Sequence, residues 1–141
     1  MAINGVIQRK LALLDDQVLH LESAFRGVSL EAFRADWLRR SAAERGVQVA
    51  AEILIDVAER LLALLDAGPA ATAAEAVGKL VPLGVLRSEL PYVDIVRCRN
   101  VIVHQYATVD AAIIHRVVTQ RLGDFRAFRD EIDAFLANSG Q

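Results

Sequence analysis

Ile3, Ile7, Leu11, Leu14, Val18, Leu21 and Phe25 recur at gaps of three and four along the start of the chain. That spacing sets every one of them on a single helix face and leaves no alternation for a strand. The pattern returns in Val47, Ala51, Leu54, Ala58, Leu61 and Leu65. It returns again in Ile114, Val118, Leu122, Phe125, Phe128, Ile132 and Phe135. Alanine, leucine and valine dominate the 54% of residues that are apolar. The chain is therefore expected to bury its stripes against one another as packed helices.

Punctuation between the stripes divides them. Gly27 ends the first helix, and Ser29 is a good N-cap for a short helix near residues 30–35, with Glu31 in its first turn. A break near Asp36-Trp37 precedes a long helix to about residue 66, stopped by Ala67-Gly68-Pro69. Thr72-Ala73-Ala74-Glu75 has the spacing of a capping box and opens a helix of about ten residues. Ser88-Glu89-Leu90-Pro91 starts another, since proline in a first turn gives up an N–H that had no partner. This helix carries Arg99 and is expected to end near His104–Tyr106. Thr108 or Asp110 caps a last helix in which Gly123 is an internal soft spot. The expectation is an all-α bundle of five or six helices, one domain over residues 1–141.

The net charge of −2 excludes an overall basic field for nucleic acid. Lys10 and Lys79 are the only lysines, and the arginines gather locally: Arg34, Arg39, Arg40 and Arg45 in one region, Arg87, Arg97 and Arg99 in another. Such patches are either solvated helix faces or phosphate sites. Cys98 stands alone, which excludes an internal disulfide and a cysteine-rich metal site. Its arginine neighbours can lower its pKa, whereas a small packed apolar role leaves it inert. No signal-peptide pattern and no apolar run near ~20 residues is present, so a soluble cytoplasmic protein is expected.

The chemistry-bearing stretch is Arg99-Asn100-Val101-Ile102-Val103-His104-Gln105-Tyr106. Its three aliphatic residues read as core, so the polar groups must reach an edge, a partner chain or a cleft. Asn100 and His104 are one helical turn apart and share a face. Arg99 and His104 are five apart, about 140° around a helix, and do not converge by helical geometry alone. Either the helix loosens, or the long arginine wraps around, or a second copy completes the site across a two-fold axis.

Histidine moves protons at neutral pH, and the arginine fork matches a phosphate. Together they can cleave RNA without a metal or other cofactor: His104 serves the attacking 2′-hydroxyl and Arg99 the charge growing on phosphorus. The same residues also have purely structural uses, as a helix-end cation, an ion-pair partner of Asp94 and a tyrosine bridging core and water. His20, His104 and His115 have no metal-ligand spacing. Gln48, Glu52 and Asp56, at i, i+4 and i+8, form a polar strip that is either solvated or part of a cleft.

Arg99-x4-His104-x-Tyr106 resembles the RX4HXY signature of HEPN-domain proteins, and the HepT-like toxins most of all. The resemblance extends through Ala43-Glu44-Arg45, Gln48, Glu52 and Asp56, then Pro69-x2-Thr72, Leu80, Gly84-Val85-Leu86, the motif itself with Asn100, and Asp110. It implies an all-helical homodimer with the motif at a cleft between protomers, and a metal-independent endoribonuclease acting as a toxin. Arg99 and His104 carry over as the catalytic pair and Asn100 as a supporting residue. It also implies a partner, an MNT-type nucleotidyltransferase antitoxin that transfers AMP from ATP onto Tyr106, where the added bulk and charge would repel RNA. A non-catalytic helical module that binds RNA, a nucleotide or a partner is the alternative for the same residues.

Overall fold

The structure, a computed structural model, describes residues 2–104 and 109–139, with side chains from Gly5 onward. Seven helices occur among the described residues: α1 (Ala2–Phe25), α2 (Leu30–Ala35), α3 (Trp37–Leu64), α4 (Ala73–Lys79), α5 (Tyr92–His104), α6 (Ala111–Gln120) and α7 (Gly123–Asn138). The all-α expectation holds, and the count exceeds the five or six expected. The final apolar stripe is divided at Arg121-Leu122. Both halves pack on α1 and α3; α6 also packs on α2, and α7 on α5.

The caps follow the local chemistry. Ser29 Oγ accepts from the Ala32 N–H, Thr72 Oγ1 from the Glu75 N–H and Asp110 Oδ1 from the Ala112 N–H. Each satisfies a helix-start donor that has no intrahelical acceptor. Glu75 reaches back one residue further than a capping box requires, accepting from the Ala71 N–H at 3.1 Å. Asp36 closes α2 and opens α3, its carboxylate accepting from the N–H groups of Leu38 and Arg39. Gly27, at φ +75°, takes the left-handed turn that releases the chain from α1.

α1 and α3 run antiparallel, as Gln17 donating to the Gly46 carbonyl at 3.1 Å and Lys10 pairing with Asp56 at 2.8 Å require. Gly46 sits within α3 because α1 leaves no space there: a Cβ would lie 2.4 Å from Leu21 Cδ2. α7 is fastened to α1 by a two-pronged Arg126–Glu22 pair and by Arg129–Asp15 at 2.8 Å. The core joins Phe33, Phe125 and Phe128 to the aliphatic stripes, with Phe25 edge-on to Phe33 and Tyr92 edge-on to Phe128.

The Lys10–Asp56 pair gives a pH-dependent prediction. Burial alone would raise the Asp56 carboxyl, but Lys10 and Arg60 outweigh it and hold it below its ordinary 3.8. A depressed folded-state pKa stabilises above the unfolded value and loses its contribution as pH falls through the folded one. Asp56→Asn is expected to cost roughly 1 kcal/mol at neutral pH, allowing for solvent screening, and close to nothing near pH 2. Denaturant melts of both proteins at the two pH values check this.

Candidate active site

The helix that carries the motif changes environment along its length. Tyr92, Val93, Ile95 and Val96 are buried. Cys98, Arg99, Ile102 and Val103 are only partly covered, and Asn100, Val101 and His104 are exposed. The aliphatic run 101–103 is thus core only in part: Ile102 packs against the core, while Val101 lies open at its edge. The physical reason is that α5 emerges from between its neighbours over its last two turns. The fold buries the start of α5 and presents its end.

Two surfaces meet beside this end. A groove of about 190 Å³ separates α5 from α6, with Pro91, Asp94, Ile95 and Cys98 on one side, Ile113, Arg116 and Val117 on the other, and Val47 of α3 reaching it. It continues into an apolar depression lined by Cys98, Val101, Val109, Ile113 and Ile114. Ile113 is 50% exposed and Val101 36%, an aliphatic strip lying open to water. Both residues fall off the stripes that fill the core, and that was the available sequence signal for a second apolar face.

α5 runs antiparallel to α3. Its start lies with the α6–α7 junction, at Arg121, Asp124 and Phe125. Its end lies with the start of α6. That start of α6 in turn packs on α2, where the His115 ring contacts Phe33 and its Nε2 lies 2.6 Å from the Val28 carbonyl oxygen. The start of α3 and the end of α5 therefore share one end of the bundle. His115 is a packing residue there and not a ligand.

Within the motif, Asn100 and His104 present one exposed face. Arg99 points around the helix from it, half-buried, with an Nε hidden from solvent and without a hydrogen-bond partner among the described residues. On α5 the five-residue spacing sets the Cα positions of Arg99 and His104 about 140° apart around the helix. Tyr106 lies outside the described residues. Burial pushes the Cys98 thiol up, so the flanking arginines do not activate it as a thiolate. The polar strip on α3 is mostly occupied: Gln48 donates to Glu52, and Asp56 is held by Lys10 and Arg60. Glu44, near the start of the strip, is raised by burial against the pull of Arg40. Among the described residues no three of His, Cys, Asp and Glu gather as metal ligands.

The family model described as Ribonuclease HepT-like matches residues 14–132, a span that includes the whole motif. The chain belongs to the HepT-like ribonuclease family. This HepT-like chain also resembles solved structures. One is a chain of the crystal structure of a toxin–antitoxin with AMP-PNP, with a TM-score of 0.83 and 20% identity over 92% of this chain and 98% of that one. Another is the tri-AMPylated Shewanella oneidensis HEPN toxin in complex with its MNT antitoxin, with a TM-score of 0.82 and 21% identity over 92% and 97%. At these identities the likeness establishes a shared fold. No curated protein matches the HepT-like chain. No helix among its described residues is long and apolar enough to cross a membrane.

Proposed function

We propose that this HepT-like chain is the toxin of a HEPN/MNT toxin–antitoxin system, a metal-independent endoribonuclease whose active site is completed by a second copy of the chain. The observation that supports this most is the motif's place at an open apolar edge. His104 and Asn100 are exposed on one side of α5, and Val101 and Ile113 lie bare beside them. Arg99 is half-buried on another side, its Nε unsatisfied among the described residues. A two-fold axis along this edge covers the aliphatic strip and sets the arginine of one protomer against the histidine of the other.

In that cleft His104 takes the proton from an RNA 2′-hydroxyl as its oxygen bonds to the adjacent phosphorus. The bond from phosphorus to the 5′-oxygen breaks, and that oxygen leaves with a proton supplied from the cleft. The product ends are a 2′,3′-cyclic phosphate and a 5′-hydroxyl. Arg99 neutralises the charge that builds on the non-bridging oxygens, and Asn100 orients the ring or the phosphate. Positioned acid–base groups of this kind supply roughly 10²–10⁴ in rate each.

The relative of known structure is AMPylated and bound to its MNT antitoxin. By the same chemistry, an MNT-type nucleotidyltransferase would join AMP from ATP to the Tyr106 oxygen and release pyrophosphate. The adduct, two residues from His104, brings a phosphate charge to the mouth of the cleft and repels RNA.

RNA cleavage by the purified, unmodified chain in excess chelator tests the proposal, with ends assigned chemically. Cleavage leaving cyclic phosphate is the expected result. Loss of all cleavage on chelation, or none across a panel that includes tRNA, would contradict it. Ile113→Asp tests the edge. The residue is half exposed, so monomer stability should fall by only about 1 kcal/mol, half the worth of a fully buried isoleucine. The dimer and its cleavage should both be lost, read by sedimentation and by the same RNA assay.

A further inference from the structure

Trp37 is the only tryptophan of the chain, and it is 69% exposed. Leu38 beside it is 67% exposed. Among the described residues these are the two most exposed large apolar side chains, and they adjoin, so they form a patch rather than scattered single residues. Neither residue is needed to start α3, because the Asp36 carboxylate already accepts from the N–H groups of Leu38 and Arg39.

The surroundings are basic. Arg34 and Arg39 are exposed on either side of the α2–α3 junction. Arg40, one helical turn after Trp37, donates back to the Arg34 carbonyl across the junction. Arg39 keeps only an exposed 3.5 Å contact with Asp36. A surface built to bind another apolar protein face would be rimmed by mixed charge. Here the adjoining acid, Asp36, is occupied as a helix cap, and three arginines lie within three residues of Trp37 along the chain.

The patch lies at the end of the bundle that presents the motif. Val47 of α3 and Ile95 of α5 line one groove, and the two helices are antiparallel there. Trp37 lies ten residues back along α3 and His104 nine residues on along α5, rises of about 15 Å and 14 Å toward the same end.

We propose that Trp37, with Leu38 beside it, is a stacking platform for an unpaired base of the RNA that enters the cleft, and that Arg34, Arg39 and Arg40 hold the flanking phosphates. The proposal rests on the ribonuclease reading of the motif. Base–aromatic stacking tolerates any base, and guanidinium groups hold phosphate and stack as well. A platform distinct from the acid–base groups lets the enzyme take a single-stranded segment without reading its sequence. It also supplies local affinity that the net charge of −2 does not.

Because Trp37 is the sole tryptophan, intrinsic emission reports this site alone. The test titrates the wild-type chain with a labelled 2′-O-methyl oligoribonucleotide, which lacks the free 2′-hydroxyl and is not cleaved. Emission and polarisation are followed together. Quenching that saturates in step with polarisation is expected. Trp37→Ala should weaken binding by about 5- to 150-fold, the usual worth of one stacked base, and Trp37→Phe should restore most of it. The double change Arg34→Ala and Arg40→Ala should lower the salt slope of binding by about 0.7 for each phosphate that is no longer neutralised.

Binding that leaves the emission unchanged and ignores Trp37→Ala would overturn the platform while leaving the ribonuclease reading intact. An emission change on dilution of the dimer or on adding the nucleotidyltransferase, but not with RNA, would overturn it in favour of a protein interface. Absence of RNA binding alongside absence of cleavage of natural RNA would remove the platform together with the reading beneath it.

Discussion

His104→Ala should lower RNA cleavage by roughly 10²–10⁴-fold while leaving the chain folded and dimeric. The folding part of this expectation comes from exposure: His104 is the last described residue of α5 and lies open to water, so its ring supports no part of the core. The chemical part comes from what the ring would do, moving the proton of the attacking hydroxyl. The loss should fall on kcat more than on KM, because the interaction is made in the transition state. Arg99→Ala should cost a similar factor, and it adds a structural signature. Arg99 is half-buried with an Nε unsatisfied among the described residues, so truncation removes a desolvated donor as well as a charge. Single-turnover cleavage with circular dichroism and sedimentation on each variant checks both. RNA binding that survives His104→Ala, from a wild-type chain that never cleaves, would instead identify a binding module.

Phe128→Ala carries the largest expected effect on stability. The ring is fully buried and stands edge-on to Tyr92, with centroids 5.5 Å apart. Removing it leaves a cavity that a tight helical core closes only in part, at a cost of about 3–5 kcal/mol. That is a large share of the roughly 5–15 kcal/mol that holds most domains folded. The damage should also reach the motif. Tyr92 opens α5, and its phenol donates to Glu131 of α7, which also accepts from the Arg87 N–H. Burial, with Glu131 adding to it, raises the Tyr92 phenol far above its ordinary range, so it stays a donor throughout. Loosening Phe128 frees the anchored start of the helix whose end bears His104. Denaturant unfolding at 25 °C measures the cost, and a drop below about 1 kcal/mol would show that the site collapses without a cavity.

Helix starts were legible because capping is local chemistry. Ser29, Thr72 and Asp110 each sit where a side-chain oxygen meets a free N–H, and Asp36-Trp37 marks the break before α3. The division between α6 and α7 was hidden for the opposite reason. Leu122 and Phe125 are both buried across the break, so the stripe reads as unbroken, and the one local mark of it is Gly123, the soft spot that proves to be the first residue of α7. The motif residues were legible by type and spacing, and their divergence around α5 follows from helix geometry. What their neighbours suggested held only in part: Ile102 packs against the core, Val101 lies open, and apolarity by itself does not say whether a face is covered by the same chain or by another. Ile113 carried the complementary signal, an aliphatic residue off its helix's inward stripe. Trp37 gave none beyond its type, because exposure is decided by how far the first turn of α3 stands clear of α2.

If two copies of the chain build one site, mixing two inactive variants shows it most directly. Arg99→Ala supplies an intact His104, and His104→Ala supplies an intact Arg99. Co-refolded chains pair at random, so about half the dimers are mixed, each with one complete cleft. The mixture is expected to recover about a quarter of wild-type cleavage, although each variant alone is inactive. A mixture as inactive as its parents, with mixed dimers verified by mass, would contradict a shared site.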